Sequence, residues 1–299
     1  MTAAKAKKVF LIINKFAGHK RKHTDEVYQM VSGLQKANLE LEFSYTNHRG
    51  HASELAHQAA QRGFDLIVAV GGDGTVNETA RSLAGSGVTL GIIPRGSGNG
   101  LARELGIPMS LRKSVDSLVT GKPKIIDVCA VNEQLFLCTS GIGFDAQVAD
   151  RMAKAHKRGF KRYVEYTIAE SLAFKPFGVK LEIDGKLIEK KVFLVTFANA
   201  RQFGNNAFIA PGADISDGLI DVVVVNPFPK IWLPVFGLGL FAGYIPRLPF
   251  VEVYKARRVV LHHADTSIYH FDGEPGKIEY PAEITVRPVK LSGLTIENP

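Results

Sequence analysis

Five consecutive apolar residues, Leu66-Ile67-Val68-Ala69-Val70, run without a polar break into Gly71-Gly72-Asp73-Gly74-Thr75. A strand with no polar face belongs inside a parallel sheet covered on both sides. Glycine lets the chain turn sharply at the strand's end, and without a Cβ it leaves backbone N–H groups accessible to a bulky anion. The pattern recurs where Leu90–Ile93 runs into Pro94-Arg95-Gly96-Ser97-Gly98-Asn99-Gly100. Two such turns suit a paired cradle for a polyphosphate, and Asp73 stands where a Mg²⁺ ion is wanted. A plainer reading, helix-capping glycines in ordinary turns, competes with the cradle at each turn taken alone.

The rest of the first 120 residues fits a parallel sheet. Val9–Ile13 is a short buried strand, and Val27, Met30, Val31 and Leu34 follow at helical spacing with Thr24 or Asp25 as N-cap. Leu41–Tyr45 alternates as a strand. Ala52, Leu55, Ala56, Ala59 and Ala60 form the stripe of a helix that stops at Gly63, and Val76–Leu83 reads as a helix after the first glycine turn. Strands alternating with helices imply right-handed crossovers, and ligands bind beyond the carboxyl ends of such strands, where both glycine turns fall.

From about Lys124 the texture changes to short strand-like runs: Val128–Val131, Leu135–Thr139, Val179–Ile183, Val192–Ala198, Ile220–Val225, Val251–Tyr254, Val259–Leu261 and Ile268–Phe271. Tight turns such as Asn132-Glu133, Asp184-Gly185 and Asp217-Gly218 separate several of them, which favours an antiparallel sandwich or barrel. One basic helical segment, Asp150–Leu172, interrupts the series. The expected organisation is an α/β nucleotide-binding domain over residues 1–125 and an all-β domain over 126–284. The last stretch, 285–299, is a candidate to complete the first domain.

Lys and Arg number 37 against 29 Asp and Glu, a net charge of +8. That excess favours an anionic partner: nucleotide phosphate, nucleic acid or an anionic membrane face. The basic residues lack the interleaved aromatics of a single-strand platform, so nucleic acid is not expected. Two cysteines, Cys129 and Cys138, offer neither a disulfide framework nor metal-ligand spacing. The first apolar run, Val9–Ile13, is too short for a signal sequence, and a cytoplasmic protein is expected. The longest apolar segment, Ile231–Ile245, holds Pro234 and three glycines and falls short of the roughly 18–20 residues that span a bilayer.

Two further elements carry carboxylates. Phe271-Asp272-Gly273-Glu274 is either a solvated hairpin or the site of a general base, since phosphoryl transfer to an alcohol needs a carboxylate to take the hydroxyl proton. Pro211–Leu219 holds Asp214 and Asp217 among carbonyls that suit Mg²⁺ or Ca²⁺, or serves as a structural loop. No GxxxxGK[ST] sequence occurs, so a P-loop enzyme is excluded.

Taken together and in order, these elements resemble the lipid kinases built on the diacylglycerol kinase catalytic domain, a family that includes the sphingosine kinases. GGDGT at Gly71–Thr75 matches the nucleotide loop, and GSGNGLAREL at Gly96–Leu105 is similar to the second loop. Thr46 with Gly50-His51-Ala52 resembles the T-x-x-x-G-H-A segment, Asp272–Glu274 the catalytic turn, and Gly141–Asp145 a segment opening the second domain. The resemblance covers essentially the whole chain. It implies a Rossmann-like parallel-sheet N-terminal domain, an antiparallel β-sandwich C-terminal domain, and MgATP in the cleft between them.

Position by position, it implies ATP contacts from Asn14, Thr46, Gly71, Gly72, Asp73, Gly74, Thr75, Gly96, Ser97, Gly98 and Asn99. It implies catalytic Mg²⁺ at Asp73, a proton acceptor at Glu274 with Asp272 beside it, and a structural metal at Asp214, Asp217 and Leu219. Two departures stand out. Asn14-Lys15-Phe16-Ala17-Gly18 lacks the proline usual after the first strand, and the basic tract His19–His23 that follows holds Lys20, Arg21 and Lys22, which are either phosphate ligands or a solvated loop. Gly100 replaces an aspartate common in bacterial diacylglycerol kinases and leans towards the sphingosine and ceramide kinase branch.

The expected reaction is phosphorylation of a lipid's primary hydroxyl, diacylglycerol first and a sphingoid base or ceramide second. A soluble NAD or sugar-phosphate kinase and a non-catalytic nucleotide- or nucleic-acid-binding module stand as alternatives. A lipid acceptor implies peripheral contact with an anionic membrane at its inner face. Ile231–Ile245 with Arg247, Lys255, Arg257 and Arg258, joined by Arg151–Arg162, is the candidate contact. Against it stands a packed helix with Trp232, Phe236, Leu240 and Phe241 as plain core. A homodimer stays open.

Overall fold

A computed structural model describes residues 7–17, 23–35, 39–154 and 160–296 of the chain. Gly18, the Lys20–Lys22 tract and the centre of the Arg151–Arg162 segment lie outside the described residues, as do the side chains of Thr24, Asp25 and Val27. The chain divides into two units, Met1–Ile126 with Val289–Pro299, and Asp127–Pro288.

The first unit runs β1 (Lys7–Ile13), α1 (His23–Gln35), β2 (Leu39–Tyr45), α2 (His51–Gln61), β3 (Leu66–Gly71), α3 (Asp73–Leu83), β4 (Thr89–Pro94), α4 (Gly100–Glu104) and α5 (Leu111–Thr120). Its strands lie parallel in the order β2-β1-β3-β4. β3 and β4 are buried at every residue, as their unbroken apolar runs require. Helix α2 buries Ala52, Leu55, Ala56 and Ala59, four of the five residues in the stripe that its spacing predicts, while Ala60 is only partly buried. The entry to α2 is held from α3, where Glu78 accepts the Gly50 and Ala52 N–H groups at 2.9 and 3.2 Å. The strand order reverses direction between β1 and β3, so a crevice opens there beyond the strands' carboxyl ends.

The second unit adds β5 (Lys122–Val131), β6 (Gln134–Phe136), β7 (Thr139–Gly143), α6 (Phe144–Lys154), α7 (Phe160–Ala173), β8 (Phe177–Ile183), β9 (Lys186–Val192), β10 (Leu194–Ala198) and β11 (Ile220–Val225). It continues with α8 (Leu233–Ala242), β12 (Val251–Ala256), β13 (Arg258–Ala264), β14 (Ile268–Phe271), β15 (Glu274–Lys277) and β16 (Ala282–Thr295). One antiparallel sheet has the order β12-β11-β10-β7-β14-β15, and β9-β8-β13 with the first half of β16 forms a second. Phe136, Ile142, Leu181, Val195, Phe197, Val222, Leu261, Tyr269 and Ile284 fill the space between them, the interior of a sandwich. The other face of β10 and β11 is covered by Phe144, Val148, Phe236, Ile245 and Phe250, which explains why those two strands are buried on both sides. β16 leaves this unit and ends parallel to β4, with Ser292 opposite Thr89.

Four elements differ from their sequence reading. The run Leu135–Thr139 is not one strand: β6 ends at Phe136 and β7 starts at Thr139. Helix α3 starts at Asp73 rather than Val76, with Gly72 as N-cap, because an acidic residue in a helix's first turn meets the positive end of the dipole. The run Val192–Ala198 is two strands rather than one. The chain changes sheet at Phe193, whose N–H bonds to the Val225 carbonyl. The basic helical segment begins at Phe144 and belongs to two helices, α6 and α7.

Candidate functional site

The strand ends of the first unit bring the glycine turns together. A Cβ on Gly96 would lie 2.8 Å from Gly72 Cα, and one on Gly71 2.6 Å from Thr75 Cβ and Oγ1, so these glycines are required by close backbone approach. Asp73 reaches across. Its Oδ2 accepts the Asn99 N–H at 2.9 Å and its Oδ1 the Gly100 N–H at 2.7 Å, placing an internal anion at the start of α4. Asn99, left-handed at φ 54°, closes its own loop: Oδ1 accepts the Gly96 N–H at 2.9 Å and Nδ2 donates to the Gly96 carbonyl at 2.8 Å.

Asn14 joins the end of β1 to α3, its Nδ2 donating to Thr75 Oγ1 at 3.0 Å. Thr46, buried at the end of β2, donates its N–H to Ile13 O. Asn14, Thr46, Gly71–Thr75 and Gly96–Asn99 therefore share one edge of one sheet. Gly74, Gly96 and Ser97 are exposed there. The amides of Asp73, Gly74 and Thr75 precede the first helical bond, Val76 N–H to Gly72 O, and form the donor end of an eleven-residue helix.

In the second unit, Asp272 and Gly273 are the two central residues of the β14–β15 hairpin, with φ 50° and 79°. Two positive φ values in a two-residue loop are the signature of a type I′ turn, which accounts for the Asp-Gly pair. The Asp272 carboxylate folds back on the chain before β7. Its Oδ1 accepts N–H groups from Cys138 at 2.7 Å and Thr139 at 3.2 Å, and its Oδ2 that of Leu137 at 3.0 Å. Glu274 opens β15 opposite Phe271 and is half-buried. Sequence reasoning missed a neighbouring buried pair, Asp145 and His270, at 3.1 Å. The signals were present: Asp145 ends the Gly141–Asp145 segment, and His270 stands two residues before Asp272.

The Asp214–Leu219 loop already holds a cation of its own. Lys255 Nζ lies 2.8 Å from Asp217 Oδ2 and 3.2 Å from Asp221 Oδ2, while Asp217 Oδ1 accepts the Leu219 N–H at 3.0 Å. Asp214 Oδ1 accepts both the N–H and hydroxyl of Ser216, and its carbonyl faces the Asp217 N–H at 3.3 Å. The bond to Asp217 holds the Lys255 ammonium above its ordinary value, and burial pushes Asp221 up. A divalent ion would have to displace this ammonium.

Among the described residues, one group of three metal-capable side chains comes together: His48, His51 and Glu54. The Asn47 N–H donates to His51 Nδ1 at 3.1 Å, which leaves the proton of the neutral ring on Nε2 and removes that nitrogen as a ligand.

Helix α8 is apolar all round and settles only one side in the core. Phe236 is buried and Leu240 packs beside it, whereas Ile231 is 81% exposed, Val235 43%, Leu238 71% and Phe241 50%. The plain-core reading therefore holds for Phe236 and Leu240 and fails for Trp232 and Phe241. No helix among the described residues is long and apolar enough to cross a membrane.

Residues 8–131 match the diacylglycerol kinase catalytic domain, and residues 139–295 match the YegS C-terminal NAD kinase beta sandwich-like domain. The chain is 31% identical over 280 residues to a diacylglycerol kinase of Bacillus subtilis, covering 90% of each, and 32% identical over 251 residues to one of Mycobacterium tuberculosis, covering 81% of each. A crystal structure of a diacylglycerol kinase from Bacillus anthracis shares the fold, with a TM-score of 0.76 at 24% identity over 98% of both chains. The α/β unit with its glycine turns, the antiparallel sandwich with its acidic turn, and these relatives lead to one conclusion: the chain is a kinase of the diacylglycerol kinase and YegS-like lipid kinase family.

Proposed function

We propose that this kinase transfers the γ-phosphoryl group of MgATP to the primary hydroxyl of a membrane lipid, diacylglycerol by preference. The observation that carries a lipid rather than a soluble acceptor is the exposed stripe Ile231, Val235, Leu238 and Phe241, flanked by Lys230 and Arg247. Apolar side chains beside basic ones suit an interface with anionic lipid, and the protein would work as a peripheral enzyme at the inner face of the cell membrane.

ATP phosphates would lie at the donor end of α3, beside the exposed Gly96-Ser97 turn, where first-turn amides suit an anion. The Asp73 carboxylate carries one N–H on each oxygen, so each oxygen keeps a lone pair that fits the water shell of Mg²⁺. Bound there, Mg²⁺ would supply positive charge against the transferred group. Glu274 takes the proton of the lipid hydroxyl, and Asp272 keeps the turn in place through the amides of residues 137–139. Phosphoryl transfer asks little covalent chemistry of the protein, so these residues act by position and charge.

Radiolabelled ATP offered with diacylglycerol, sphingosine, ceramide and NAD in parallel tests the reading. Label in phosphatidic acid is expected. Label in a sphingoid phosphate would move the acceptor to the alternative that Gly100 favours, and label in NAD phosphate alone would overturn the lipid reading. Glu274→Gln should lose transfer while keeping ATP binding; full activity would remove Glu274 from its role.

A further inference from the structure

His270 is 2% exposed, yet each of its ring nitrogens faces a polar partner. The Gly273 N–H points at Nδ1 from 3.4 Å, and Asp145 Oδ2 lies 3.1 Å from Nε2. An amide can only donate, so Nδ1 accepts. The ring proton then sits on Nε2 and is given to the carboxylate. The two partners thus select a single tautomer of a neutral imidazole.

Each end of this bridge is itself held. Asp145 Oδ2 also accepts the Thr196 hydroxyl at 2.7 Å, and its Oδ1 accepts the Ala146 N–H at 2.8 Å in the first turn of α6. The His270 carbonyl accepts the Ser140 hydroxyl at 2.7 Å. A Cβ on Gly141 would lie 2.7 Å from Asp145 Oδ2 and 3.2 Å from His270 Nε2, so the strand beside the pair has room for glycine alone. A histidine that merely filled space would not need this set of restraints.

The bridge ends one residue before Glu274. On its other side the turn is tied down by the Asp272 carboxylate on the amides of residues 137–139. With both ties the left-handed pair Asp272-Gly273 has one orientation. With the ring removed, the Gly273 N–H loses its side-chain acceptor, and the turn is left with the Asp272 tie and the β14–β15 ladder.

We propose that His270 is a positioning residue for phosphoryl transfer, fixing Gly273, and through it Glu274, against the Asp145 carboxylate. The inference rests on the assignment of Glu274 as proton acceptor. His270→Phe, assayed well below its melting transition, should keep the KM for ATP while kcat falls roughly 10- to 100-fold, the cost of a misplaced reacting group. His270→Asn can offer a carbonyl to the Gly273 amide and should recover part of that loss. His270→Gln reaches only towards Asp145 and should not.

Single-turnover transfer of labelled phosphate completes a cycle with Glu274→Gln. A residue acting through Glu274 adds no further loss in that background. The ¹⁵N spectrum of the ring should show the Nε2–H tautomer. Wild-type kcat in His270→Phe, a loss that multiplies with that of Glu274→Gln, or an Nδ1–H tautomer would each overturn the inference alone. Full activity in Glu274→Gln would overturn the assignment on which it rests.

Discussion

Asp73→Asn separates a carboxylate that braces a loop from one kept solely for an ion. The wild-type side chain accepts two amides, Asn99 at 2.9 Å and Gly100 at 2.7 Å, and both are bonds to an ionised group. Asparagine keeps one carbonyl oxygen, so one bond survives at neutral strength. The other position presents an N–H₂ group to an N–H, a contact with no acceptor. One charge-assisted bond lost and one roughly halved amounts to about 2–4 kcal/mol. For a unit of this size, that loss lowers the melting temperature of the first unit by roughly 6–15 °C. Scanning calorimetry reads the shift, and hydrogen exchange reads its origin, because the Asn99 and Gly100 amides should exchange faster while the β3 and β4 amides keep their order. Raising Mg²⁺ should not restore stability. An ion ligand with no structural task predicts the opposite pattern, turnover lost with stability untouched. Unchanged melting together with unchanged exchange at residues 99 and 100 would refute the brace.

Three other outcomes are expected. Chelators should leave the melting temperature of the native protein unchanged at the Asp214–Leu219 loop, because Lys255 supplies the cation. In Lys255→Met the unpaired Asp217 and Asp221 should make melting rise with added Ca²⁺, and insensitivity of that variant to Ca²⁺ would remove the loop as a cation site. Hydrogen bonds from Lys190, Tyr254 and Asn226 hold the Glu252 carboxyl down at about 2, from an ordinary 4.5. A depressed carboxylate contributes stability above pH 4.5 that is lost as pH falls towards 2, so Lys190→Met should flatten denaturant stability measured across that window. Ile231→Glu with Leu238→Glu should abolish flotation with phosphatidylglycerol vesicles while leaving ATP binding intact. Wild-type flotation of that double variant would exclude α8 as the membrane contact.

Spacing carried the architecture because burial is periodic. The all-apolar run of β3 and the Ala52–Ala59 stripe of α2 each specify a face, and both fold as read. Spacing failed where no face is encoded. Helix α8 is apolar all round, so the burial of Phe236 and the exposure of Leu238 come from packing on β10 and β11 rather than from pattern. Val192–Ala198 is one apolar run whose division at Phe193 is a tertiary event.

The roles of the acidic residues were less legible than their positions, for a related reason. Asp73 and Asp272 each stand before a glycine in a tight turn, and the sequence shows no more than that. Their partners lie 26 and 27 residues away for the first and 133 to 135 for the second. In both turns the aspartate accepts consecutive backbone amides of a separate segment and locks it in register. One device thus serves both units: an aspartate side chain ties two chain segments together. In the Asp272–Glu274 turn, one of the two carboxylates expected to be catalytic, Asp272, is thus engaged by three backbone amides, and the geometry it maintains is that of the turn that carries Glu274.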